Sequence, residues 1–244
     1  MSVIIVEHVE SLGSGLVGRA LREHGFATRV VRRWRGEKLP PDADDLAGLV
    51  LCDHGPEVGV GAPDLGDERR IIGAAQVGKV PIIGLGFGAR LLATALGGTV
   101  ATADPAPCGW DPVALSHHGK EDPLFGGQPW RQPWWRWSRE RIDALPPSAR
   151  ALASVAHDTM AFAIGTSTYG FVHHWELTPA EFEGSLRAFP SCLGSTTPEA
   201  AREGWRIHGS ACERLGTRLA TNIVRCLFIP DRQHLGRPRE MELA

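Results

Sequence analysis

Residues 80–96 constrain the fold more tightly than any other stretch. A short apolar run, Val80–Ile83, stops at Gly84-Leu85-Gly86-Phe87-Gly88, and a helical pattern from Ala89 to Leu96 begins at once. Three glycines in five residues belong where the backbone must adopt conformations that a β-carbon disfavours. A strand, a sharp turn and a helix in this order make a nucleophile elbow, which holds its central side chain exposed above a sheet. Here the central residue is Gly86, which has no side chain to present.

Other elements fall into place around this turn. Ser2–Val6 reads as a buried strand, 15–24 as a helix, 28–31 as a strand, and Gly48–Leu51 as a strand ending in the turn cluster Cys-Asp-His-Gly-Pro. Asp67–Gln76 carries charge first and apolar residues later, as a helix does. Strands alternating with helices predict an α/β fold, a flavodoxin-like three-layer sandwich with a central, mainly parallel sheet. Ligands of such sheets gather at the carboxyl ends of the strands, after Leu51 and Ile83. Between Thr99 and His174 short runs (113–115, 134–137, 151–155, 160–164, 170–173) separated by Pro and Gly predict strands and hairpins. Residues 180–188 and 198–227 then keep helical spacing. One domain over 1–230 and a polar tail over 231–244 are expected.

The whole-chain numbers exclude rather than identify. A chain of 244 residues with 43% hydrophobic and 22% charged residues is ordinary for a globular α/β domain. Its formal charge of −2 gives no reason to expect nucleic acid or a membrane surface as partner. No apolar run approaches the ~20 residues that span a bilayer, and the N-terminus reads as a strand rather than a signal peptide. The five scattered cysteines (Cys52, Cys108, Cys192, Cys212, Cys226) argue against a disulfide framework and for a reducing cytoplasm. None forms a Cys-x-x-Cys pair, so a structural zinc site has no sequence support; no metal and no cofactor are expected.

The elbow and its surroundings resemble the class I glutamine amidotransferases, whose elbow runs Gly-(Ile/Val)-Cys-x-Gly. Gly84 and Gly88 match, Gly86 stands at the catalytic cysteine, and Arg90 stands where glutamine is usual. Downstream, Tyr169-Gly-Phe-Val-His-His-Trp-Glu176 is similar to the family's Gly-x-Gln-x-His-Pro-Glu signature. This puts His174 and Glu176 on the catalytic histidine and its carboxylate partner, with Trp175 in place of proline. The likeness runs from Val3 to about Leu227. It implies a base and an orienter without a nucleophile, because in this chemistry a thiolate attacks the glutamine amide while histidine moves the proton. The expected protein has no useful glutaminase activity. It binds a small glutamine-like or anionic ligand, or serves a synthetase or acceptor subunit or a second copy of itself.

The same likeness assigns the neighbouring positions. His54-Gly55-Pro56 matches the family's Gly-Gly-Pro loop in part, leaving Gly55 and Phe87 as backbone N–H donors. Ser138 and Glu140 stand in a segment where a His-x-Asp element is common. Arg90, one turn into the helix after the elbow, either favours an anion held by the N–H groups of Phe87 and Gly88, or points to solvent or pairs with an acidic neighbour. A competing reading keeps an active hydrolase or amidotransferase with Cys52 or a His174-activated water as the attacking group. The alternative for Cys52 is a small core residue. His117-His118 read as solvated. Trp130, Trp134, Trp135 and Trp137 read as core or interface, with Arg131, Arg136, Arg139 and Arg141 on their solvated face.

Overall fold

Val3, Ile4, Ile5 and Val6 are each at most 2% exposed. Successive strand residues point to opposite faces, so burying all four requires cover on both sides of the sheet. In the computed structural model, whose described residues are 1–62, 64–194 and 196–228, that cover comes from helices. The expected tail over 231–244 lies outside the described residues.

The first half runs β1 (Ser2–Glu7), α1 (Gly15–Glu23), β2 (Thr28–Arg32), β3 (Leu46–Leu51), α2 (Gly66–Val77), β4 (Ile82–Leu85) and α3 (Phe87–Ala95). The second half runs β5 (Thr99–Thr102), β6 (Cys108–Leu115), α4 (His117–Glu121), β7 (Arg131–Trp137), β8 (Glu140–Ala144), β9 (Ala149–Val155), β10 (Asp158–Ile164), β11 (Thr168–Phe171), α5 (Pro179–Ala188) and α6 (Pro198–Leu227).

Nine strands form one sheet in the order β2-β1-β3-β4-β11-β10-β9-β6-β7. The first five are mutually parallel, which is the doubly wound order 2-1-3-4-5 with β11 in fifth place. Antiparallel strands extend the sheet from there. The expected α/β fold on a large central sheet is therefore present. α1 packs against α6 and α2 against α3. The pairing of β5 with β8 in a separate ribbon carried no signal, because Thr99–Thr102 is short and half exposed.

Helix ends follow their local chemistry. α5 opens with a capping box in which Thr178 and Glu181 satisfy each other's backbone N–H, with Pro179 at the first helical position. α6 repeats the cap with Thr197 and Pro198. The tryptophan segment divides: Trp134, Trp135 and Trp137 are buried, while Trp130 is exposed under the ammonium of Lys120. Arg136 departs from the expected solvated face. It is 5% exposed and paired with Asp111 and Asp158, because β7 lies against β6 and a charge buried there needs partners.

Candidate functional site

Three neighbouring parallel strands, β3, β4 and β11, end side by side, and the residues just past each end converge. β3 delivers Asp53, β4 delivers Gly86, and β11 leads to His174 and Glu176.

The elbow has the geometry its sequence requires. Gly86 sits at φ 53°, ψ −112°, a region that residues with a β-carbon occupy only under strain. Its N–H donates to the carbonyl of Phe171 at 2.8 Å, tying the turn to β11. Gly84 lets α3 lie on the strand, since a Cβ there would come within 2.7 Å of the Gly88 carbonyl oxygen. Gly88 abuts β3, where a Cβ would come within 2.2 Å of the Leu51 carbonyl oxygen.

The His174-x-Glu176 segment is held from both sides. The Glu176 carbonyl accepts the Leu16 N–H at 2.8 Å at the start of α1. Gly216 of α6 lies so close to the Trp175 carbonyl that a Cβ would approach its oxygen to 2.4 Å. Trp175, in the family's proline position, is 1% exposed and packs edge-on against Phe171. The two adjacent histidines take opposite sides. His173 faces the core, with its Nδ1 at 3.1 Å from the Met160 carbonyl, and burial pushes its pKa down to about 3. His174 faces the site, with its Nδ1 at 3.0 Å from Glu176 Oε1.

Asp53 completes the arrangement. Its carboxylate lies where a side chain at position 86 would go: a Cβ on Gly86 would come within 2.5 Å of Asp53 Cγ. Asp53 Oδ1 accepts the N–H of Phe87, and Oδ2 is 3.5 Å from His174 Nε2. Arg90 Nη2 is 3.9 Å from Oδ1. All of these groups are buried: Asp53 is 3% exposed, His174 4%, and Glu176 and Arg90 1% each. Burial alone would depress the His174 pKa. The charge and hydrogen bond of Glu176, helped by Asp53, outweigh burial and the opposing Arg90, so the net shift is upward. His174 is thus held between two carboxylates, in the manner of an imidazolium.

The remaining candidates divide. Phe87 offers its N–H, but to Asp53 rather than to open space. Gly55 is at φ 82° under the ring of Phe189, which a Cβ would overlap at 2.6 Å. Arg90 takes the acidic-neighbour option: besides Asp53, its Nε is 3.6 Å from Glu140 Oε2. Glu140, in the segment of the family's His-x-Asp element, also accepts the Val60 N–H at 3.2 Å. Cys52 is fully buried in the main core. Burial, then the acidic groups around it, push its thiol well above the ordinary cysteine value, away from the thiolate that attack requires. Beside Asp53, Arg90 and Glu140 line a cavity of about 190 Å3 together with Pro56, Val58, Gly59 and Thr102.

Asp53 is the site residue that the sequence pattern did not point to. A carboxylate in the turn after β3, next to a strand whose elbow lacks a side chain, was the available signal. Only the sheet order brings that turn to Gly86.

Among the described residues Cys52, Cys108, Cys212 and Cys226 are free thiols. No group of three His, Cys, Asp or Glu is arranged there to hold a metal, and no helix is long and apolar enough to cross a membrane.

The fold is an α/β fold on a large, mainly parallel central sheet, the architecture of solved glutamine amidotransferases. It superposes on the glutamine amido transferase from Methylobacillus flagellatus with a TM-score of 0.77 over 93% of this chain and 94% of that one, at 22% identity. No family model matches the chain. The glutamine amidotransferase-like protein YfeJ of Salmonella typhimurium is 28% identical over 197 residues, 75% of this chain and 78% of that protein. One subunit of the glutamine-hydrolysing GMP synthase of Natronomonas pharaonis is 26% identical over 183 residues, 74% and 91% of the respective chains. In two longer GMP synthases the match spans a quarter or less of the relative. The chain is thus similar in sequence to glutamine amidotransferase-like proteins and shares their fold.

Proposed function

We propose that this chain is a class I glutamine amidotransferase-like protein without glutaminase activity, acting as a small-ligand-binding or regulatory partner. The observation that carries this reading is Gly86 at the elbow with the Asp53 carboxylate in the space of the missing side chain. Glycine supplies no atom for attack on an amide. Without the nucleophile, only binding and backbone donors remain to accelerate the reaction, and here the Phe87 donor is already engaged.

The roles follow from position. His174 and Glu176 form a charged pair beside the elbow, while Arg90 and the loop 56–59 border the cavity that receives a ligand. Arg90 and Arg139 bring positive charge to that cavity and Glu57 and Glu140 negative charge, which suits a glutamine-like or other small charged ligand. The likeness to one component of a GMP synthase motivates a synthetase or acceptor protein as partner, with a second copy of this chain as the alternative.

The test is ammonia release from glutamine by the purified protein, alongside a Gly86→Cys variant. No release above background from the unsubstituted protein is expected. Steady release that disappears in His174→Ala would point to activated water, and release that disappears in Cys52→Ala would point to that thiol. Either result would overturn the reading.

A further inference from the structure

The elbow is a place where negative charge is favoured. A helix N-terminus points its N–H groups there, and His174 and Arg90 both lie within 4 Å of the carboxylate that occupies it. α3 carries no capping side chain of its own. Losing a cysteine side chain from such a corner would leave a backbone donor, a buried guanidinium and a buried imidazole without the acceptor they surround, a costly state. The carboxylate found there comes from β3, the neighbouring strand.

We propose that Asp53 is a built-in ligand of the emptied nucleophile position, a carboxylate that takes the Phe87 N–H, faces His174 Nε2, offsets the charge of Arg90, and closes the elbow to external anions. The volume fits, because Asp53 Cγ lies within 2.5 Å of where the Gly86 Cβ would be, and Asp53 is 3% exposed. The contacts fit as well. One carboxylate oxygen serves the helix N–H and lies 3.9 Å from Arg90, while the other lies 3.5 Å from His174. An external ligand is then confined to the adjoining cavity at Pro56–Gly59, Thr102 and Glu140, with Arg90 at the boundary between the two. Gly86 and Asp53 form a matched pair, so that restoring cysteine alone does not reopen the site. The proposal deepens the functional reading above and rests on its view of the elbow, but not on the lack of glutaminase activity. Its readouts are therefore anion response and imidazole titration, and either idea can fail without the other.

The experiment removes the carboxylate and offers it back. In Asp53→Gly, thermal unfolding is followed with increasing sodium formate or acetate, against sodium chloride at equal ionic strength. The variant is expected to unfold several degrees lower and to recover saturably with formate or acetate, by more than the unsubstituted protein gains. An equal response of the two proteins to carboxylate would overturn the proposal. Should Asp53→Gly not fold, Asp53→Asn keeps an acceptor for the Phe87 N–H while removing the charge. The charged groups facing His174 are then Glu176 and Arg90, while the neighbouring His173, on the core side, adds its influence through space. The His174 imidazole pKa, read by NMR, is expected to fall, because one of the two carboxylates that favour its charged form is gone. An unchanged titration would mean that Asp53 is only a helix cap, and would also overturn the proposal.

Discussion

Gly86 and Asp53 act as one unit, since each occupies what the other leaves. A Cβ at 86 needs both a strained backbone and the volume of Asp53 Cγ. Gly86→Cys alone is therefore expected to cost roughly 1–3 kcal/mol. Adding Asp53→Gly should recover part of that loss, because the substituted cysteine then has room. Denaturant midpoints of the four proteins in this cycle measure the coupling, and strict additivity would mean that the two positions do not compete. Arg90 belongs to the same scale. Burial draws its pKa below the usual guanidinium value, and Asp53 and Glu140 oppose that shift.

Among the elements, α1 and α6 matter most because they fix the segment carrying His174 and Glu176. Gly15 sits at φ 48° with the Glu176 carbonyl oxygen 2.1 Å from where a Cβ would be. Gly15→Ala is expected to destabilise the protein by at least ~2 kcal/mol and to shift the His174 titration as Glu176 is pushed away. Urea unfolding and NMR of the imidazole test both parts. A milder change, Thr178→Ala, removes the capping box of α5 and should cost about 1 kcal/mol while leaving that titration unmoved. A shifted His174 in Thr178→Ala would show that α5 holds the site more tightly than its caps imply.

For the whole molecule, buried histidines set the pH range of stability. Burial, then the nearby His54, pushes His8 down to about 4, and burial pushes His173 down to about 3. Both stay neutral in the folded chain where the unfolded chain, with a pKa near 6.5, takes up protons. Their contribution is complete above about pH 6.5 and is lost as pH falls through the folded values, on the order of 3 kcal/mol or more each. His174 has the opposite sign: its raised pKa gives stability that is full below about pH 6.5 and is lost as pH rises through the folded value. Urea midpoints should therefore fall between about pH 6.5 and 4.5, and His173→Asn should flatten that acid limb. An acid limb equally steep in His173→Asn would assign the loss to other groups.

The sequence by itself determined the parts whose cause is local. The run Val80–Ile83 and the glycines after it call for a strand and a sharp turn through backbone sterics, and the structure sets the strand two residues later, Ile82–Leu85, with the turn at Gly86; the spacing over 198–227 fixes α6 through helical periodicity. His174 and Glu176 were legible only through their likeness to the family's His-Pro-Glu signature, and the structure brings His174 Nδ1 to 3.0 Å from Glu176 Oε1 while His173 turns to the Met160 carbonyl. What only the tertiary structure decided is what stands above Gly86. Asp53 is 33 residues earlier in the chain and meets the elbow because β3 and β4 are hydrogen-bonded neighbours. Burial of Arg136 and the partners of Arg90 were hidden for the same reason. Pairing of charges depends on which strand ends meet, and local sequence does not encode that.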